Sequence, residues 1–159
     1  MTQRIVTNLW FDGQAEQAAT YWSSIFPDSR ITMTTRYPEG SPGTAGEVMT
    51  VEFELFDQRF VGINGGPAFP HTEAMSLMIE CEDQAEIDRY WAALIADGGA
   101  ESQCGWCKDR WGVNWQVVPT GMDQVFADPD PLKAQRAFTA MLGMRKLDLA
   151  ELQRAAAGS

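Results

Sequence analysis

Apolar and polar residues alternate along EVMTVEFELF (47–56), where Val51, Phe53 and Leu55 fall on one side with glutamates between them. Period-two alternation predicts a half-buried β-strand. RIVTNLWF (4–11) reads as an earlier strand that enters a turn at Asp12-Gly13. The pattern then changes. In QAEQAATYWSSIF (14–26), Ala15, Ala18, Ala19, Trp22, Ile25 and Phe26 recur at three- and four-residue spacings, which predicts one apolar helical face ended by Pro27 and Asp28. SRITMTTRY (29–37) is β-branched and reads as a strand, and PEGSPGTAG (38–46) as a loop. Asp57-Gln58 makes a tight turn, with RFVGIN (59–64) as the hairpin partner of 47–56.

After a linker, GGPAFPHTE (65–73), the order begins again. AMSLMIEC (74–81) reads as a strand. QAEIDRYWAALIADGG (84–99) reads as a helix with an apolar stripe of Ile87, Tyr90, Trp91, Leu94 and Ile95, stopped at Gly98-Gly99. Residues 100–119 read as short strands about turns at Gly105 and Gly112. A phrase is written twice: Gln14-Ala15-Glu16 recurs as Gln84-Ala85-Glu86, and Tyr21-Trp22 as Tyr90-Trp91, with one residue gained or lost between them. Two modules, 4–64 and 74–119, follow within a single domain of residues 1–159, since pairing two copies buries sheet faces that one copy leaves bare. The remainder, 120–159, is a helical tail. Phe138, Met141 and Leu142 share a helical face, and Asp148 and Glu151 stand at capping-box spacing. The predicted fold class is α+β, two tandem βαβββ modules plus C-terminal helices.

A chain of 159 residues is long enough for one well-buried core. Twelve basic against 22 acidic residues give a net charge of −10, a poor surface for phosphate backbones or anionic lipid, so neither nucleic acid nor membrane is an expected partner. No apolar run approaches the ~20 residues that span a bilayer. MTQRIVTNLWF shows no signal-peptide pattern. Three cysteines are an odd number, which argues against a disulfide scaffold and suits a reducing, cytoplasmic setting.

Two long phrases carry a family resemblance. INGGPAFPHTEAMSLMIECEDQAEIDRYWAAL and CGWCKDRWGVNWQVVP resemble the PhnB-like branch of the glyoxalase/bleomycin resistance/vicinal oxygen chelate superfamily, a branch labelled 3-demethylubiquinone-9 3-methyltransferase. The tail phrase AMLGMRKLDLAEL is similar to that branch as well. The resemblance implies that each module curls into a partial barrel with a ligand cavity on its concave side, and often a homodimer. In the superfamily's metalloenzymes the ligands stand on the first and last strands of each module. Matching motif to motif puts those positions, within one or two residues, at Thr7, Asn64, Ser76 and Gln116. None is His, Asp, Glu or Cys, and the chain has a single histidine, so neither a divalent metal nor any other cofactor is expected. The four read as neutral hydrogen-bonding groups facing a cavity, or as groups that satisfy each other or water.

Trp106, Trp111 and Trp115 lie within ten residues and read either as core or as an aromatic wall for an apolar or planar ligand. Alternation places Trp111, Val113 and Trp115 on one face, and Asn114 with Gln116 on the other. Cys104-Gly-Trp-Cys107 has redox spacing, yet it lies among short strands and not at a helix N-terminus, which favours structural cysteines. His71, in the linker, reads as an exposed loop residue. The expected function is small-molecule binding or metal-independent catalysis, with Thr7, Asn64, Ser76, Cys104, Trp106 and Gln116 as the ligand-binding candidates. An alternative is acid–base or thiol chemistry on Cys104 and Asp109. Methyl transfer, the label of the branch, is a second alternative, although no Gly-rich methyl-donor loop is present: GGP at 65–67 and DGG at 97–99 do not supply one.

Overall fold

Leu9, Phe11, Val51, Phe53 and Leu55 need a cover, and the helix that follows the first strand supplies it. The computed structural model describes residues 3–158. Its first unit, Met1–His71, holds β1 (Thr7–Phe11), α1 (Ala15–Ile25), β2 (Arg30–Arg36), β3 (Val48–Leu55) and β4 (Gln58–Asn64). The sheet order is β1-β4-β3-β2, with β1 parallel to β4 and the other pairs antiparallel. α1 buries Ala15, Ala18, Ala19 and Trp22. The Trp22 ring lies 5.7 Å from Phe53 and 6.1 Å from Phe11. Small residues let the helix sit close: a Cβ at Gly62 would stand 2.9 Å from that of Ala15. The β3–β4 turn falls one residue before the predicted Asp57-Gln58. Phe56 and Asp57 both take positive φ, as a type I′ hairpin turn requires, and Gln58 already belongs to β4.

The second unit, Thr72–Ser159, repeats the plan. It holds β5 (Leu77–Cys81), α2 (Gln84–Ile95), β6 (Ala100–Glu101), β7 (Trp106–Lys108) and β8 (Asn114–Pro119). Its sheet order, β5-β8-β7-β6, matches the first, with β5 parallel to β8. α2 buries Ile87, Tyr90, Trp91 and Leu94. The repeated phrase is less symmetric than it reads. Gln14 is the N-cap of α1, whereas Asp83 is the N-cap of α2 and accepts from Glu86 N. The caps are spaced like Trp22 and Trp91, so Gln84 stands in the place of Ala15. The one-residue difference therefore falls before the helices, and the Tyr-Trp pairs are the structural equivalents.

The tail forms α3 (Met122–Phe126), α4 (Pro131–Leu142) and α5 (Leu149–Ala157). It packs on its own unit: Val118, Met122, Leu147 and Leu152 make a buried cluster flanked by Phe126, Ala140, Met141 and Met144. Asp130 and Asp148 cap α4 and α5 through Leu132 N and Glu151 N. Of the predicted α4 face, Met141 is half-buried while Phe138 and Leu142 stay exposed. Among the described residues no helix is long and apolar enough to cross a membrane.

Candidate functional site

Each module's own helix lies on one face of its sheet, and strand alternation decides what the other face shows. In the second unit Ile79, Cys81, Cys107, Trp115 and Val117 are buried on the side that receives α2. The opposite face shows a row across three strands: Trp106 on β7 pairs with Gln116 on β8, which pairs with Met78 on β5. Gln116 Nε2 donates to Ser76 Oγ at 2.9 Å. Ser76, Trp106 and Gln116 are half-buried, and Met78 is 58% exposed. Sequence reasoning missed Met78, although it stands two residues from Ser76 on the same strand face. At the far end of this face the tail covers Val118.

Cys104 lies in the turn that leads into β7, at φ 57°. Its N–H donates to Met144 O and that of Gly105 to Arg145 O, both at 2.8 Å, so the tail holds the turn before Trp106.

Thr7 and Asn64 lie elsewhere. Thr7 shares the parity of Leu9 and Phe11, on the helix-bearing side of the first sheet, one residue out of step with Ser76 and Met78. Asn64 is buried there too: Oδ1 accepts from Ala15 N at 2.9 Å and Nδ2 donates to Val48 O at 3.0 Å. It supplies the cap that Gln14 does not. His71 is half-buried, with its ring 5.4 Å from Phe11, and so is not the exposed loop residue expected. The first unit's helix-free face carries Trp10 instead. Trp10 Nε1 donates to Gly66 O at 2.7 Å, and its ring meets Phe69 edge-on at 5.1 Å. Only glycine fits at position 65, where a Cβ would lie 2.0 Å from the Trp10 ring.

Asp109 is 3% exposed and fully engaged. Oδ1 accepts from Trp111 N and Val113 N at 3.0 Å, and Oδ2 from Trp115 Nε1 at 2.9 Å. The carboxylate ties the β7–β8 turn to the core.

Burial, with the nearby Glu86 carboxylate, pushes the Cys81 thiol up to about 12; burial, with Asp109 and Glu101, does the same for Cys107. Thiolate chemistry is thus suppressed at both. In the folded protein a thiol reagent at mildly alkaline pH should label one cysteine, the half-buried Cys104, and all three after unfolding. The sign of the pH effect follows. Below the ordinary thiol value of 9.0 both thiols stay protonated, folded or unfolded; between there and about 12 only the unfolded chain ionises, so stability falls as pH rises. Rapid labelling of all three native thiols would contradict this.

A metal does not fit the four matched positions. Both ends of the Asn64 amide are spent on backbone, Gln116 donates to Ser76, and Thr7 offers one hydroxyl. Neutral amide and hydroxyl oxygens, those of Asn64 and Ser76 already accepting from protein donors, are weak divalent-metal ligands. Among the described residues no group of three or more His, Cys, Asp or Glu is placed to hold a metal ion.

Two βαβββ modules, each with its own helix on one face of its sheet, define the glyoxalase/bleomycin resistance fold. Fosfomycin resistance protein FosX from Mesorhizobium loti shares it at 12% identity and TM-score 0.57, over 80% of this chain and 98% of that one. The chain belongs to the PhnB-like family described as 3-demethylubiquinone-9 3-methyltransferase, whose model matches residues 3–118. A PhnB protein from Bacillus cereus is 35% identical, with TM-score 0.68, over 74% of this chain and 100% of that one. Protein PA1353 from Pseudomonas aeruginosa is 21% identical, with TM-score 0.61, over 74% of this chain and 98% of that one. No curated protein matches. The family match ends at β8, so α3 to α5 lie outside it.

Proposed function

We propose that this protein binds a small planar or apolar molecule on the face of the second unit's sheet opposite α2, and that any catalysis there is metal-independent. The row of Trp106, Gln116 and Met78 carries the reading. An aromatic ring and an exposed thioether flank a hydrogen-bonding pair, the mixture of apolar wall and few polar groups that small-molecule sites use. Gln116 Oε1 accepts no hydrogen bond among the described residues, so it remains available to a ligand donor. The Ser76 hydroxyl supplies a rotatable donor beside it.

A ligand-observed NMR screen of planar fragments bearing a hydroxyl or amide, run with excess EDTA, tests this. Fragments should bind, and Gln116→Leu should weaken them about fivefold, the worth of one net hydrogen bond. Trp106→Ala should weaken them further. Binding that needs an added divalent metal, or that ignores both substitutions, would overturn the proposal.

We further infer a cytoplasmic homodimer. Met33 stays 54% exposed, and Leu132 and Leu142 60% and 51%, apolar surface that a two-fold contact would cover. Light scattering at micromolar concentration should return twice the chain mass of 17.6 kDa, and a monomer mass would refute the dimer.

A further inference from the structure

β8 turns two amides to the face opposite α2. Asn114 and Gln116 share the parity that Trp115 and Val117 do not, so both side chains leave the strand on the side of Trp106 and Met78. Gln116 is half-buried, whereas Asn114 is only 4% exposed. Asn114 Nδ2 donates to Gly112 O at a long 3.4 Å. Its Oδ1, like Gln116 Oε1, accepts no hydrogen bond among the described residues. A polar atom withdrawn from water without a donor is costly, and nearly all such atoms in folded proteins find one. One strand face thus carries two amide oxygens that lack donors, and one of them belongs to a side chain more than nine-tenths buried.

The groups around them decide what could supply those donors. Ser76 Oγ accepts from Gln116 Nε2, and its own O–H is the donor that remains there. Lys108, the cross-strand partner of Asn114, already holds Glu73 at 2.9 Å. Its charge is thus countered, and the chain's net charge of −10 disfavours anions further. The other end of the face is apolar and closed: Val118, two residues beyond Gln116, is buried with Met122, Leu147 and Leu152. A carboxylate offers only acceptors and would meet two carbonyl oxygens. A neutral carboxamide, lactam or ureide has N–H groups for those oxygens and a carbonyl for the serine. Positions 114 and 116 stand roughly 7 Å apart along the strand. Two diverging N–H bonds of one planar group can span that gap when both acceptors sit on flexible side chains.

We propose that the ligand of this face is a planar carboxamide, lactam or ureide, and that Asn114 selects it by accepting an N–H. The hydrogen-bonding edge of the ligand faces Asn114 and Gln116, and its apolar body lies against Trp106 and Met78. This rests on the ligand site proposed above and names the chemical class that the site takes. Specificity of this kind is strong because a ligand without the N–H leaves the buried amide oxygen unpaired.

Two probes of one shape decide it: naphthamide and naphthoate, titrated into the full chain with excess EDTA and followed by ligand-observed NMR. The amide should bind about tenfold more tightly, the worth of one to two net hydrogen bonds. Dimethylnaphthamide, which keeps the carbonyl and lacks the N–H groups, should lose that advantage. Asn114→Leu should weaken the amide about fivefold and leave naphthoate no weaker, while Asn114→Asp, which keeps an acceptor, should retain the amide. The comparison of probes on the unaltered chain needs no variant, so a leucine variant that fails to fold does not blunt the test. Naphthoate binding as tightly as the amide, or an amide preference that survives Asn114→Leu, would overturn the inference. If both probes then still respond to Trp106→Ala, the ligand site itself stands. Binding of neither probe would overturn the inference and count against the site as well.

Discussion

Asp109→Ala is expected to destabilise the second unit by about 3–5 kcal/mol, the cost of removing one partner from a buried charged network. The aspartate is 3% exposed and accepts from two backbone N–H groups and the Trp115 indole. Alanine removes the acceptor of all three bonds, at about 1–3 kcal/mol for each donor that stays buried. Asp109→Asn should cost less, because its oxygen can still accept from Trp111 and Val113 while its NH2 faces the indole N–H. Urea unfolding followed by tryptophan fluorescence measures both. A loss under about 1 kcal/mol for the alanine variant would mean that the carboxylate is not needed by the fold, and would return it to the acid–base reading with Cys104.

Leu147→Ala should cost about 2–5 kcal/mol, the range for deleting a fully buried leucine. Leu147 is 0% exposed and joins the tail cluster to the sheet through Val118. Its side chain also presses on the Gly105 turn, where an added Cβ would stand 3.1 Å from it. The loss should therefore reach the site. With the connection between α4 and α5 loosened, the turn holding Cys104 and Gly105 loses the carbonyls of Met144 and Arg145, and Trp106 follows directly in sequence. Thermal unfolding gives the stability change, and faster Cys104 labelling in the variant gives the local one. An unchanged melting temperature would show the tail to be decoration on a family fold that ends at residue 118.

Local periodicity carried most of the fold. The alternation at Val51, Phe53 and Leu55 and the helical spacing of Ala15, Ala18, Ala19 and Trp22 survive in β3 and α1 because each pattern is read within one element. What depended on register was less legible. A one-residue step separates Thr7 from the face that Ser76 shares with Met78, and a period of two turns that step into the opposite side of a sheet. Asn64 reads as a cavity residue until its partner, Ala15 N, is known, and that partner is 49 residues away. The Asp109 network leaves a faint trace in sequence: its donors sit two, four and six residues on, at Trp111, Val113 and Trp115, but nothing short of burial marks the carboxylate as their common acceptor. Ser76 and Gln116, by contrast, were brought together by the family resemblance, among four groups read as facing a cavity or satisfying each other, and these two are hydrogen-bonded at 2.9 Å.

The central claim is a metal-free ligand site on the face of the second unit's sheet opposite α2. It is tested most directly by a high-resolution crystal structure of the protein purified from its native host without chelator, with anomalous data collected to detect transition metals. The account predicts density for an organic molecule against Trp106 and Met78, within hydrogen-bond distance of Gln116 or Ser76, and no anomalous peak beside it. A metal ion bound at Ser76 or Gln116, or a ligand seated on a different surface with this face left to solvent, would contradict it.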